Sequence, residues 1–360
     1  MTGTQTSVAR RRKDGVASVA EMFDFDEIID ARSPGEYNED HLPGAISLPV
    51  LNDEERAMVG TLHKQSSAFE AKKVGAALVA RNIADHLESY FRDKPRNYRP
   101  LIYCWRGGSR SGAMTTILRS VGWNAAQLEG GHKAYRHFVI EELARLPAQF
   151  EFRVICGPTG VGKSRFLREL KACKAQVLDL EDLAAHMGSV LGAYPARPQP
   201  AQKLFESRVW HTLQSFDPER PIFVESESKK IGNLHTPEEL LKRMRAATCI
   251  NLHADIPVRV ELLKQEYAHF LIDAESLGQK LDCLTTIQGK EQVENWKVLA
   301  RSGRWDELVA ELLIRHYDPA YTRSLDRNYV GALSAATLEL PAADSTTFAH
   351  LARQLIDSIS

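Results

Sequence analysis

Short apolar runs closed by turn residues alternate along this chain with longer stretches whose apolar positions fall three and four apart. The first series of runs is Phe25–Ile29 leading into Asp30, Ala45–Val50 behind His41-Leu42-Pro43-Gly44, Pro100–Cys104, and Asn124–Leu128. Between them, residues 53–92 carry Ala76, Ala77, Val79, Ala80, Ile83 and Leu87, which is a helical spacing. Ser111–Val121 places Ala113, Met114, Ile117, Leu118 and Val121 on one helical face, with Gly122 as its stop signal, and His132–Leu146 reads as a further helix. Strands that alternate with helices predict a mainly parallel sheet wrapped by helices. A second series starts after Pro147-Ala148-Gln149, which reads as a linker. It predicts strands at Phe152–Cys156, Gln176–Leu180, Pro221–Glu225 and Thr248–His253, with a helix over Gly162–Cys173. Amphipathic stretches at Leu262–Ile272 and Trp305–His316 make the C-terminal part mostly helical. The expected organisation is a basic polar tail at 1–20, an α/β domain at 21–146 and a second α/β domain with a helical C-terminal extension at 150–360.

Composition narrows the class. A length of 360 residues suits two or three domains, and 43% apolar with 26% charged residues is ordinary globular usage. The net charge of −1 excludes a global positive field for nucleic acid, so any RNA contact has to be local. The five cysteines (Cys104, Cys156, Cys173, Cys249, Cys283) are odd in number, far apart and without CxxC spacing. That pattern speaks against a disulfide framework or a zinc site and for a reducing compartment. No apolar run approaches the ~20 residues needed to span a bilayer. Arg10–Lys13 has no apolar segment behind it, so it is not a secretory signal. The expected location is the cytoplasm.

Chemistry concentrates in two glycine-containing loops. The first is Cys104-Trp105-Arg106-Gly107-Gly108-Ser109-Arg110-Ser111, between a predicted strand and a predicted helix. A loop that closes onto a helix N-terminus turns backbone N–H groups inward, and the helix dipole adds positive potential. Gly107 and Gly108 let the backbone curl, Ser109 completes the cradle, and Arg106 and Arg110 add fixed charge. Such a cradle binds anions and stabilises a thiolate nucleophile, so Cys104, Arg106 and Arg110 are the candidate catalytic residues. A lone cysteine beside a glycine turn is more often structural; two glycines and two arginines in a strand–helix setting reverse that balance.

The second loop, Gly157-Pro158-Thr159-Gly160-Val161-Gly162-Lys163-Ser164, satisfies G-x-x-x-x-G-K-[ST] after an apolar strand and before a helix carrying Phe166, Leu167 and Leu170. Gly157, Thr159, Gly160, Gly162, Lys163 and Ser164 are the expected phosphate-binding residues. The backbone surrounds phosphate oxygens, Lys163 neutralises the terminal phosphates and Ser164 is placed to hold Mg²⁺. Asp179 and Glu225 end strands where such domains carry a metal- or substrate-contacting carboxylate, against the plainer reading of solvated strand-end acids. Cys156 abuts the loop inside an apolar strand and reads as core. Three basic clusters are candidates for an acidic partner: Arg92, Lys94, Arg96 and Arg99 with Tyr98; Lys242, Arg243 and Arg245; and Arg315 to Arg327 with Tyr317 and Tyr321. The first is preferred because it enters the strand that ends at Cys104, with the proviso that a strand's two ends lie on opposite edges of a sheet.

Residues around the first loop resemble the rhodanese family: Asp30-Ala31-Arg32, Glu36-Tyr37, His41-Leu42-Pro43-Gly44-Ala45, and Leu128-Glu129-Gly130-Gly131 followed by Tyr135. The five residues between Cys104 and Arg110 are one more than the usual rhodanese loop holds. That is the C-x5-R length of cysteine phosphatases, although those usually place His before the cysteine and this chain has Tyr103. Over nearly its whole length the chain resembles the bacterial tRNA 2-selenouridine synthases, on Glu55–Thr61, Tyr103–Gly112, Gly157–Ser164 and His316-Tyr317-Asp318-Pro319. The resemblance implies a transferase that converts wobble 2-thiouridine in the anticodon region of tRNA to 2-selenouridine. It implies selenophosphate and geranyl diphosphate as co-substrates, an S-geranylated intermediate, and a selenophosphate-supplying enzyme as a partner. The resemblance places Cys104 at the step that delivers selenium. The rival readings are an NTP-dependent kinase or a rhodanese-fold phosphatase or sulfurtransferase acting on another substrate, and a non-enzymatic anion-binding adaptor.

Overall fold

The computed structural model describes residues 15–65, 67–189, 191–194, 197–329, 331–332 and 335–359. Two compact units form: the first comprises residues up to Glu142 with Glu206–Arg208, the second the remainder.

In the first unit, β1 (Val16–Ala17), β2 (Glu27–Asp30), β3 (Ile46–Ser47), β4 (Pro100–Tyr103) and β5 (Ala126–Leu128) make one sheet in the order β1-β5-β4-β2-β3. Every pairing is parallel, with Asp30 beside Tyr103 and Ile102 beside Gln127. A parallel sheet sends all its strand C-termini to one edge, and β4 delivers Cys104 there. Ile29, Ile102, Val79, Ile83, Phe91, Met114 and Leu118 pack one core between strands and helices. The helical region expected at 53–92 is two helices, Asp53–Gln65 and Ala68–Ser89, the second capped by Ser67, whose side chain accepts the Glu70 N–H. Most of the expected tail lies outside the described residues. Val16–Ala17 within it is an edge strand, and Val19–Asp24 is a 3₁₀ helix. A two-residue strand is too short to leave a periodic signal. The expected linker is the 3₁₀ turn Leu146–Gln149, with Leu146 and Pro147 buried.

The second unit is a parallel sheet of β6 (Phe152–Cys156), β7 (Gln176–Leu178), β8 (Ile222–Glu225), β11 (Thr248–His253) and β12 (Ala336–Glu339), ordered β12-β11-β6-β8-β7. A separate hairpin pairs β9 (Lys230–Ile231) with β10 (Leu234–His235). Ile155, Phe166, Leu167, Phe223, Leu252 and Phe348 form its central core. A second cluster, with Phe270, Leu281, Trp296 and Leu312, belongs to the helices after β11. The stretch expected as one helix at Trp305–His316 is a helix to Leu312, then a π turn at Leu313–Tyr317, then the helix Asp318–Asn328. No helix among the described residues is long and apolar enough to cross a membrane.

Candidate functional site: two anion cradles

Cys104 sits just past β4, 3% exposed, and its helix begins at Ser109 rather than Ser111. Among the described residues no acceptor takes the amides of Arg106, Gly107 and Gly108, which leaves these donors at the helix N-terminus for an anion. Gly107 is the residue the curl requires: its φ is +66°, and a Cβ there would stand 2.7 Å from the Leu128 carbonyl. Gly108 is the N-cap, with open space where a Cβ would stand. The closing segment meets the loop directly, since the His132 and Lys133 amides donate to the Cys104 and Trp105 carbonyls at 2.8 and 2.9 Å.

The two arginines differ. Arg106 is exposed, whereas Arg110 makes a two-pronged ion pair with Glu36 at 2.7 and 3.2 Å. Burial pushes the Glu36 carboxyl up, but the Arg110 guanidinium outweighs it and holds the group at about 2. The sulfur has its own partner: Ser111 Oγ donates to Cys104 Sγ at 3.1 Å, and Gln127 Nε2 donates to that hydroxyl at 2.8 Å. Ser111 is fully buried, so this relay fixes the sulfur's orientation from beneath.

Below the cradle lies a buried polar knot. Arg32 pairs with Asp30 at 2.7 Å and donates to the Asp40 carbonyl. Tyr103, which stands where phosphatases carry His, donates its hydroxyl to Asp30 at 2.7 Å. The Asp30-Ala31-Arg32 and Tyr103 positions are therefore structural. His132 Nε2 bonds Asp40 Oδ2 at 3.0 Å, and its Nδ1 meets no protein partner. Burial keeps that imidazole below its ordinary value, hence neutral, with Nε2–H donating and Nδ1 a bare acceptor. Its ring stacks on Trp105 of the cradle at 5.6 Å. Ser111, Gln127, Asp40 and His132 escaped the sequence reading; the signal for His132 was its place directly after Gly130-Gly131.

The phosphate loop follows β6 as expected, and its helix is Lys163–Ala172. Among the described residues the amides of Gly160, Gly162, Lys163 and Ser164 have no acceptor. Lys163 Nζ donates to the Gly157 carbonyl at 2.8 Å, while the Gly157 amide donates to Tyr321 Oη at 2.6 Å. Arg259, 4% exposed, clamps Thr159 through its carbonyl (2.7 and 3.0 Å) and pairs with Asp318. That pairing gives the His316-Tyr317-Asp318-Pro319 motif a job: it fastens the C-terminal helices to the loop.

Behind the loop, carboxylates crowd. Ser164 Oγ donates to Glu181, and the Glu181 amide donates to Glu225 Oε1 at 2.9 Å. Glu225 Oε2 is buried without a partner, and burial together with Asp179, Glu181 and Glu227 pushes this carboxyl well up. Burial, with Glu181 adding repulsion, raises Glu227 to about 8. Asp179 caps the short helix Leu180–Ala184 by accepting the Asp182 amide at 2.8 Å, which is a structural task. Among the described residues no group of three or more His, Cys, Asp or Glu is arranged to hold a metal ion, and the Ser164 hydroxyl expected to hold Mg²⁺ donates to Glu181.

Of the preferred basic cluster, Lys94 is tied to Glu27 at 3.0 Å and Arg99 to Asp26 at 3.4 Å, while Arg92 and Arg96 are exposed. All four precede β4 and so sit at the edge of the sheet opposite Cys104. In the second cluster Lys242 and Arg243 pair with Glu238 and Glu239 on their own helix. In the third, Tyr321 serves the phosphate loop, and Arg327 lies among residues 324–327, whose side chains are outside the described ones.

Known proteins match in the same arrangement. A family model described as "Rhodanese-like domain" matches residues 15–137, and one described as "tRNA 2-selenouridine synthase AAA domain" matches residues 150–282. A tRNA 2-selenouridine synthase of Bdellovibrio bacteriovorus is 31% identical over 358 residues, covering 86% of this chain and 92% of the relative. One of Shewanella halifaxensis is 30% identical, covering 83% and 89%. One of Nitrosomonas europaea is 34% identical over 258 residues, covering 70% of this chain and 66% of the relative. With both cradles in this order and relatives matched along most of their length, the chain belongs to the tRNA 2-selenouridine synthase family.

Proposed function

We propose that this enzyme exchanges sulfur for selenium at the wobble 2-thiouridine of tRNA, in two steps divided between its two cradles. The observation that carries the proposal is the joining, in one chain, of a buried cysteine in an anion cradle and a separate phosphate loop. Sulfur on C2 of uridine is a poor leaving group, and alkylating it makes it a better one. The second unit grips the diphosphate of geranyl diphosphate for that alkylation, through Lys163, Ser164 and the amides of Gly160 and Gly162. The first unit then receives selenophosphate in the Cys104 cradle, where the amides of Arg106–Gly108 and the exposed Arg106 face its phosphate oxygens. Ser111 and Gln127 hold the sulfur in place. Arg92 and Arg96, exposed and without an ion pair among the described residues, meet the tRNA body rather than the reacting base.

The phosphatase alternative draws on one observation, the five-residue span from Cys104 to Arg110. Against it, Arg110 is engaged by Glu36, and Tyr103 takes the position of the customary His. Mass spectrometry of tRNA nucleosides from cells lacking the gene tests the proposal. Disappearance of 2-selenouridine is the expected result; an unchanged nucleoside profile contradicts it.

A further inference from the structure

Of the five tryptophans, Trp105 alone stands open to solvent, at 37% exposure. Trp210 and Trp296 are buried. Trp123 packs against the core of the first unit and donates its indole N–H to the Pro95 carbonyl at 3.0 Å. Trp305 packs against the helical cluster that follows β11. A single exposed aromatic on a plain surface needs no explanation. Trp105 is not on a plain surface: it follows the buried Cys104 directly, and the exposed Arg106 comes next.

The indole is also held in place. It stacks on the His132 ring, with centroids 5.6 Å apart and planes 25° from parallel. That imidazole cannot swing away. It is 1% exposed, bonded through Nε2 to Asp40 at 3.0 Å, and flanked by the Tyr103 and Tyr135 rings at 6.4 and 6.0 Å. The backbone is fixed as well, since the Trp105 carbonyl accepts the Lys133 amide at 2.9 Å. Among the described residues no second ring and no cation lies against the indole. A supported aromatic plane is therefore displayed at the mouth of the thiol cradle, with the cost of ordering it already met by the fold.

We propose that Trp105 is the platform on which the wobble base stacks when it leaves the anticodon stack to reach Cys104. The inference rests on the reading of tRNA as the substrate and deepens it by naming the side chain that receives the base. Bases in single-stranded loops are recognised by splaying them out onto aromatic side chains. Every base has a π-face, so such a platform supplies affinity and placement rather than base identity. With a net charge of −1 the chain has no general field to hold RNA, which leaves a larger share of the grip to contacts of this kind. The His132 ring beneath makes the indole a fixed plane rather than a side chain that has to be ordered by the base.

The test is a binding cycle between the full-length protein and tRNA carrying either 2-thiouridine or an abasic residue at the wobble position. In the wild type, loss of the base should weaken binding by about fivefold or more, the lower end of what stacking on one aromatic contributes. Trp105→Leu still covers His132 but has no π-face. It should bind the 2-thiouridine tRNA as weakly as the wild type binds the abasic one, and removing the base should then cost it less than about twofold. Trp105→Phe should keep most of the wild-type difference. A second measurement needs no variant: tRNA with 5-iodouridine at the wobble position, irradiated on the wild-type protein, should cross-link to the peptide that holds Trp105. An equal cost of base removal in wild type and Trp105→Leu, or a cross-link confined to another peptide, would overturn the platform and leave tRNA as the substrate. Failure of the wild type to bind either tRNA would remove both readings.

Discussion

Both cradles are built on one plan, a parallel strand entering a glycine-bearing loop at a helix N-terminus, yet their electrostatics are opposite. Around Cys104 the charges are paired beforehand: Arg110 with Glu36 and Arg32 with Asp30. Around Lys163 the carboxylates outnumber their partners, with Glu225 Oε2 unpaired and Glu227 raised to about 8. Lys163 itself bonds backbone carbonyls of its own loop. A preorganised cradle suits a reaction whose geometry has to be in place when the donor arrives. A strained cluster with its lysine folded back suits a site that rearranges around an incoming polyanion. Under the proposed division of labour, rigidity belongs to the selenium step and adaptability to the diphosphate step.

The sharpest break in that comparison is the thiol itself. Cys104→Ser should abolish selenation, while Cys156→Ser and Cys173→Ser should retain it, read by nucleoside mass spectrometry on tRNA incubated with selenophosphate. Cys156 lies in the core of β6, and burial with the neighbouring Cys249 thiol pushes it far from the thiolate form, with the Cys249 hydrogen bond the larger cause. Full selenation by Cys104→Ser would remove the nucleophile from the account.

Glu36→Gln should come next, costing the first unit roughly 1–3 kcal/mol because Arg110 loses a charged partner in a half-buried setting. The pH dependence has a definite sign. A carboxyl held at about 2 contributes stability that is present above its ordinary value of 4.5 and is lost as pH falls toward 2. Chemical denaturation across that range should show wild-type stability falling with acidification and the variant's changing less. A parallel pair of curves would contradict the pairing.

An effect of the opposite sign belongs to the second unit. Glu227 is raised from 4.5 to about 8, so its ionisation costs stability progressively as pH rises between those values. Glu227→Gln should flatten that decline and leave the protein more stable than wild type above pH 8. The smallest expected change is in tRNA affinity. Arg92→Ala with Arg96→Ala should lower the salt slope of tRNA binding by about 1.4–1.8 if both contact phosphate. An unchanged slope would shift the contact to Arg315 and Arg323.

Much of this was legible beforehand wherever chemistry is local. Phe152–Cys156 and Thr248–His253 are strands over the same residues as their apolar runs, and both glycine loops announce themselves by spacing. What stayed hidden is assembled across distance. Glu36 and Arg110 are 74 residues apart, and Arg259 grips a carbonyl 100 residues away. β12 is largely exposed at a sheet edge, so Ala336–Glu339 offers little apolar signal. The partners of Lys94 and Arg99, Glu27 and Asp26, lie far back in the chain and leave no local signal.

The division of labour is tested most directly by the nucleoside products of two variants on the same 2-thiouridine tRNA. With geranyl diphosphate and selenophosphate present, Cys104→Ser should stop at S-geranyl-2-thiouridine. Lys163→Ala should leave 2-thiouridine unchanged, yet selenate tRNA supplied already geranylated. Equal failure of Lys163→Ala on both substrates, or no geranylated product from Cys104→Ser, would contradict the assignment of one step to each cradle.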